Sequence, residues 1–179
     1  MVINCKSFLE SKRKGKSYIN VKDKISLEIL YTFELDYYII TKDAFENIYK
    51  NYFDNREIIS LDINMPKTNI LIKNEDTFLM SIDAFTSNQC KGHFHNYPIV
   101  PAVFVTNCIL KEIFLFLNNL NHKEVDSVEM YLSKAMPIET KFNILVSHQN
   151  YLNNLINFKC EVKDDNQLTY GIYIINIKK

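Results

Sequence analysis

The sequence predicts an α+β fold in which a largely antiparallel sheet wraps around one long buried helix. Two observations lead to this prediction. A long apolar segment begins at Pro101 and ends near Leu120, and strand-like runs lie both before and after it. The chain has 179 residues, of which 47% are hydrophobic, and this is enough for one well-buried domain, with or without an extension.

The first third of the chain carries weak signals. Residues 1–20 are expected to be loosely structured. The stretch from Ile25 to Ile40 is rich in Ile, Leu, Tyr and Phe with partial alternation, which predicts one or two strands. Thr41 then has the character of a helix cap, and aromatic and aliphatic residues follow at helical spacing. A short amphipathic helix is therefore predicted over Ala44–Phe53.

Strand-like runs dominate the rest of the chain, on either side of the apolar segment. They are predicted at Glu57–Ile63, Thr68–Lys73, Thr77–Phe85, Val125–Lys134, Thr140–His148, Leu155–Val162 and Leu168–Ile177. The residues Asp164-Asp165-Asn166 separate the last two runs and predict a hairpin turn.

The apolar segment predicts a helix that begins at Pro101, because proline suits the first helical position. The segment is apolar almost all round, which is typical of a helix buried in a core. Asn107, Lys111 and Glu112 interrupt the run, and it falls short of about 18 uninterrupted apolar residues. We therefore reject a membrane span.

Composition excludes some classes of function. The formal net charge is +0, with Lys+Arg 21 against Asp+Glu 21, so no overall field attracts nucleic acid. The four cysteines are widely separated and form no C-x-x-C pair. Reduced thiols and the lack of an apolar signal sequence favour a cytoplasmic protein.

The most informative stretch lies just ahead of the predicted helix. It reads Gly92-His93-Phe94-His95-Asn96-Tyr97-Pro98-Ile99-Val100-Pro101-Ala102. An imidazole titrates near neutral pH and can both take and return a proton, as a reversible elimination requires. His93 and His95 also form a His-x-His pair. No third candidate ligand has the sequence spacing that is typical of metal sites, so we expect no metal.

This stretch resembles the motif of the hotdog-fold (3R)-hydroxyacyl-acyl carrier protein dehydratases. That motif reads Gly-His-Phe, a short loop, Pro-x-x-Pro-Gly and a helix with an acidic residue. The matching residues, with the same spacing, are Gly92, His93, Phe94, Pro98 and Pro101. Tyr131 to Pro137-Ile138-Glu139 resembles the family's later strand and turn. The resemblance covers residues 56–179 as a hotdog domain and leaves 1–55 as an N-terminal extension of unknown role.

The resemblance implies a homodimer, or a heterodimer with a hotdog paralogue, whose substrate is a thioester on an acyl carrier protein. The substrate would be held on the phosphopantetheine of the carrier, and no other cofactor is implied. It assigns the base to His93, the oxyanion-binding backbone N–H to Ala102 and the acidic position to Asn107. The candidate residues for an acyl tunnel are Phe94, Val100, Val103 and Phe104.

Two positions depart from the family. Ala102 replaces glycine, but the group required is a backbone N–H at a helix N-terminus, which alanine also supplies. Asn107 replaces the acid, and an amide can donate a hydrogen bond but cannot give up a proton to a departing hydroxide. Loss of a general acid typically costs about 10²–10⁴ in rate.

Three functions remain open after this change. The first is a dehydratase, a hydro-lyase in fatty-acid or polyketide-type synthesis, in which His93 moves the proton alone or through water. The second is a hotdog thioesterase, in which Asn107 holds a water. The third is a non-catalytic acyl-binding or pairing subunit. One fold hosts all three, so the fold cannot decide among them. The motif favours the dehydratase.

Overall fold

A computed structural model describes residues 1–55, 64–90, 93–94, 96–117, 124–151 and 154–178. The chain divides into two compact units, Met1–Lys50 and Asn51–Lys179.

The first unit is a three-stranded antiparallel sheet followed by a short helix. Its strands are β1 (Val2–Ser11), β2 (Lys14–Lys22) and β3 (Ile29–Tyr38), paired in that order. The helix α1 spans Lys42–Ile48. Thr41 caps it as predicted, because its hydroxyl accepts a hydrogen bond from the Ala44 N–H at 3.2 Å.

Two sequence predictions for this unit need correction. Residues 1–20 are not loosely structured, because they form β1 and most of β2. Their frequent lysines conceal the alternation of a two-faced strand, since the charges lie on one face only. The predicted helix over Ala44–Phe53 begins earlier, at Lys42, and a separate 3₁₀ helix over Lys50–Tyr52 replaces its end.

The second unit is a six-stranded antiparallel sheet packed on one long helix, α2 (Ala102–Phe116). Its strands pair in the order β4-β5-β7-β8-β9-β6. They are β4 (Thr68–Lys73), β5 (Thr77–Ile82), β6 (Glu124–Leu132), β7 (Phe142–Tyr151), β8 (Leu155–Asp164) and β9 (Thr169–Lys178). Six of the seven predicted strands are thereby confirmed. The seventh, Glu57–Ile63, lies outside the described residues.

Alternation along the strands builds the core. Alternate residues of β5, β8 and β9, and of the first half of β7, are buried, and their apolar side chains form one core with α2. Examples are Phe78 on β5, Ile144 on β7, Phe158 on β8, Ile175 on β9 and Ile109 on α2. The predicted α+β arrangement, a sheet packed around a long helix, is confirmed.

The helix itself differs from its prediction in two ways. Pro101 is the N-cap rather than the first helical residue, because its ψ of 131° is extended. The helix is also not buried all round: Val103 is 61% exposed and Leu115 is 52% exposed, in one stripe with Asn107 and Lys111. These residues are four apart, so they share the face that points away from the sheet. Among the described helices, none is both long and apolar enough to cross a membrane.

The predicted turn at Asp164-Asp165-Asn166 is confirmed between β8 and β9. One carboxylate oxygen of Asp164 accepts hydrogen bonds from the N–H groups of Asn166, at 2.9 Å, and Leu168, at 3.0 Å. Its other oxygen accepts one from the Tyr170 hydroxyl at 3.2 Å. This short side chain therefore fixes the hairpin through local bonds, as turn aspartates do.

Candidate functional site

His93 lies in the loop that leads from β5 into α2. Its N–H donates a long hydrogen bond of 3.5 Å to the Cys90 carbonyl oxygen, and its ring packs against Phe94 with the centroids 4.4 Å apart. The residue is exposed, yet partial burial of its ring lowers the pKa of the imidazole below its usual value. His93 is therefore largely neutral at pH 7, the state that a general base needs. Gly92 and His95 lie outside the described residues.

The loop after His93 is held in place from two sides. On one side Asn96, with a positive φ of 61°, accepts a hydrogen bond from the Asp54 N–H at 2.9 Å. On the same side Phe53 packs edge-to-face on Tyr97, with the centroids 5.5 Å apart. On the other side Ile99 forms an isolated bridge with Pro137. The approach to α2 is therefore a fixed segment rather than a free loop.

The N-terminus of α2 presents backbone donors. Ala102 is its first residue and half-buried, and Pro101 as the N-cap supplies no side-chain acceptor. The first N–H groups of an α-helix have no acceptor within the helix, and the helix dipole adds partial positive charge there. This end can therefore stabilise a developing oxyanion. The side chain of Ala102 does not take part in that role.

Asn107 lies on the exposed stripe of α2, one turn after Val103. Among the described residues, no hydrogen bond joins its amide to His93. The imidazole of His93 thus has a lowered pKa, and the side-chain amide of Asn107 is exposed on the helix surface. Their catalytic partnership stays a prediction.

The four predicted tunnel residues lie in different settings. Phe94 and Val103 are exposed, while Val100 is only 2% exposed and donates its N–H to the Met136 carbonyl oxygen at 2.9 Å. Phe104 stacks on Phe85, with the centroids 6.4 Å apart. These contacts favour a packing role for Val100 and Phe104, whereas the side chains of Phe94 and Val103 are exposed. The tunnel itself stays a prediction.

The only acidic residue within α2 is Glu112, and it does not occupy the position of Asn107. It is buried and accepts a hydrogen bond from the Thr68 hydroxyl on β4. Five residues correspond to about 500° of helical rotation, so the two side chains point about 140° apart. Glu112 ties the helix to the edge of the sheet and cannot replace the missing acid.

The buried thiols near this segment are unsuited to nucleophilic chemistry. Burial raises the pKa of the Cys90 thiol to about 12 and that of the Cys108 thiol to about 11. Both are therefore protonated at neutral pH, and a thiol is a far weaker nucleophile than a thiolate. His93 remains the candidate base of this segment.

A cleft of about 540 Å³ adjoins the same loop, and sequence reasoning missed it. Three separate segments line it: Asn51 to Asp54, Pro98, and Pro137 to Glu139. Tyr52 fixes one wall, because its hydroxyl donates a hydrogen bond to the Ala135 carbonyl oxygen at 3.2 Å. The sequence signals near it were the resemblance carried by Pro137-Ile138-Glu139 and the motif residue Pro98.

Comparisons with known proteins show which solved structures resemble this architecture. No protein-family model matches the chain, and no curated protein matches its sequence. Solved structures do match. The E. coli PaaI protein from the phenylacetic acid degradation operon superposes with a TM-score of 0.52 at 9% identity, over 63% of this chain and 82% of that one. Thioesterase superfamily member 2 from Mus musculus gives 0.52 at 5% identity, over 63% and 81%. A hypothetical thioesterase from Streptococcus pneumoniae, solved with coenzyme A, gives 0.51 at 6% identity, over 63% and 87%.

The chain has the hotdog fold. Identities of 5–9% establish this fold and nothing finer. The sequence resemblance to hotdog proteins is thereby confirmed at the level of the fold, whereas membership of the dehydratase family stays a prediction.

Proposed function

We propose that this protein acts on acyl thioesters with His93 as its general base, and that the reaction is dehydration of (3R)-hydroxyacyl thioesters carried by an acyl carrier protein. The observation that carries the proposal is the setting of His93. Its imidazole has a lowered pKa, and shortly after it the fixed segment 96–100 leads to the uncapped N-terminus of α2. The hotdog fold supports the thioester substrate, because solved structures similar to this chain include proteins named as thioesterases.

The proposed reaction is an elimination. His93 takes the α-proton, and the electron pair of that C–H bond forms the carbon–carbon double bond as the β-C–O bond breaks. The Ala102 N–H donates a hydrogen bond to the thioester carbonyl oxygen, which gains negative charge on the way. The departing hydroxide receives a proton from the His93 imidazolium, directly or through water, while Asn107 orients the hydroxyl by a hydrogen bond. The products are a 2-enoyl thioester and water.

A thioesterase is the second candidate, and Asn107 is the observation that favours it. Hydrolysis needs a positioned water rather than an acid at this place, and an exposed amide can hold such a water. In that case His93 activates the water, the thioester C–S bond breaks, and the products are a free acid and a thiol.

The partners we propose are an acyl carrier protein and a second hotdog subunit, identical or paralogous, in the cytoplasm. Hotdog-fold proteins commonly form dimers. The substrate would arrive on the carrier's phosphopantetheine, which requires no other cofactor.

Product analysis by mass spectrometry tests the proposal. Purified protein is incubated with a panel of (3R)-hydroxyacyl carrier-protein thioesters, beside His93→Gln and the control His148→Gln. The control removes the imidazole of His148, which lies on β7 and packs between Phe116 and Phe158. Loss of one water that stops in His93→Gln but continues in His148→Gln supports the dehydratase. Free acid supports the thioesterase, and no turnover leaves an acyl-binding or pairing subunit.

A further inference from the structure

The three-stranded sheet of Met1–Lys50 has two chemically different faces. One face carries the charged side chains of the strands. On it Lys16 Nζ lies 3.0 Å from Glu34 Oε1 and 3.7 Å from Asp36 Oδ1, and Lys14 Nζ lies 3.0 Å from Glu10 Oε2. A face with cross-strand ion pairs of this kind is compatible with exposure to solvent.

The opposite face carries no charged side chain. The strand register places four cross-strand rows there, which we call the apolar face: Ile3-Val21-Tyr31, Cys5-Ile19-Phe33, Ser7-Ser17-Leu35 and Leu9-Gly15-Tyr37. The two serine hydroxyls in its middle are hydrogen-bonded to each other at 2.7 Å. Another surface can therefore cover this face without leaving those hydroxyls unsatisfied.

The two outer strands of the apolar face are mostly exposed, whereas its middle strand β2 is more covered, with Ser17 only 7% exposed. Ile3 is 67%, Leu9 63% and Tyr31 62% exposed, and none of the residues of α1 is buried. An antiparallel sheet with one polar and one apolar face normally buries the apolar one, and three strands need such a covered face for stability. A contiguous exposed apolar patch of this kind marks an interaction surface.

We propose that the apolar face binds the same face of a second copy of this chain, so that two three-stranded sheets form a sandwich. Charge is the first argument. Because the face holds no charged group, pairing with itself buries no ion and brings no like charges together. A two-fold arrangement of one self-complementary surface also closes on itself and does not build a filament.

Area is the second argument. The strands are 9 or 10 residues long. With strands about 4.8 Å apart and a rise of about 3.3 Å per residue, the face measures about 14 Å by 33 Å. Its flat area is therefore roughly 460 Å² per copy, without the extra surface of protruding side chains. Two such faces give about 920 Å² as flat areas, and the protruding Tyr, Phe and Leu side chains bring the buried area toward the lower end of the range of about 1,200–2,000 Å² that stable interfaces bury. Stacked sheets pack about 10 Å apart, a distance that these side chains fill.

The chain supplies a matched pair of variants for the test. Phe33→Glu puts a charge on the apolar face, and Thr32→Glu puts the same charge on the neighbouring position of the same strand, facing the opposite way. Cys5 reports on coverage because it lies on the apolar face and is the one exposed cysteine of the four.

The experiment uses the full chain, with p-benzoylphenylalanine in place of Tyr31, as a mixture of unlabelled and ¹⁵N-labelled protein. After irradiation, we expect crosslinked peptides that join a light and a heavy copy of Met1–Lys50, and their loss in Phe33→Glu but not in Thr32→Glu. We also expect a maleimide to label Cys5 about tenfold more slowly in the wild type than in Phe33→Glu, because a sandwich populated to about 90% leaves about one tenth of the thiol open.

Three results would overturn the proposal. Crosslinks within one chain would show that the chain covers its own face. Crosslinks from position 31 to residues 51–179 of another copy would show a different interface. Rapid labelling of Cys5 without any crosslink would show an uncovered face. None of these results bears on His93 or on the thioester reaction.

Discussion

Replacing Asn107 with glutamate puts a carboxylic acid on α2 where the resemblance to dehydratases places one. The exposed position tolerates the change, because substitutions at exposed sites without special contacts shift stability by less than about 0.5 kcal/mol. Lys111 lies four residues later on the same stripe, and such a Glu–Lys pair adds about 0.3–0.5 kcal/mol to helix stability. The variant therefore keeps the fold.

The size of the gain follows from the pKa of the new group. A positioned general acid contributes about 10²–10⁴ in rate. An exposed glutamate has a pKa near 4.3, so only about 1 in 500 is protonated at pH 7, and this fraction reduces even the upper end of that range to about 20-fold. We expect about a 10-fold rise in dehydration, which corresponds to about 1.4 kcal/mol of barrier. The gain grows as pH falls toward 6, because the protonated fraction increases.

The assay measures formation of 2-enoyl thioester from a (3R)-hydroxyacyl carrier thioester. Asn107→Gln is the matched control, since it has the length of glutamate but no acidic proton, and its rate stays near that of the wild type. Equal rates for the Glu and Gln variants, with both folded, would refute the reasoning that Asn107 occupies the position of the missing acid.

Three further predictions follow from the described contacts. The pH profile of kcat/KM rises with pH through a single ionisation below 6.5, because the lowered pKa of His93 must be exceeded to free the base; a profile flat from pH 5 to 8 would contradict this. Ile109→Ala lowers the free energy of unfolding by about 2–5 kcal/mol in denaturant titrations, whereas Val103→Ala on the exposed stripe changes it by less than about 0.5. Asp164→Ala costs about 1–3 kcal/mol by thermal melting, because it leaves turn donors without their acceptor, and the exposed neighbour Asp165→Ala costs much less.

Local signals made much of the fold predictable from sequence. The turn at Asp164 and the cap at Thr41 each depend on a side chain that bonds its own neighbourhood, so a short pattern contains all the information. Alternation of buried residues likewise identified the strands of the core. These features need no knowledge of what lies across the fold.

Features that depend on distant partners were not predictable. The charge of Lys16 on β2 suggested a loose segment, because its ion-pair partners Glu34 and Asp36 stand about twenty residues away. The exposed stripe of α2 was missed because Val103 and Leu115 are apolar, and only the packing shows which face meets the sheet. The cleft combines three segments that are remote in sequence.

The candidate site was predictable in part for the same reason. The spacing from His93 to Pro101 is local and led correctly to a loop before a helix N-terminus. The lowered pKa of His93 comes from surrounding atoms, and the buried bond of Glu112 to Thr68 joins α2 to β4. Neither could be inferred from neighbouring residues.

The most direct test of the central claim follows the position of an oxygen label. A 2-enoyl carrier thioester is incubated with the protein in H₂¹⁸O, so that the reverse of the proposed elimination adds water. The account predicts ¹⁸O in a β-hydroxyl group on an intact thioester, in the wild type but not in His93→Gln. Label found in a free carboxylate instead would identify hydrolysis, and the same labelling in His93→Gln would contradict the role of His93 as the base.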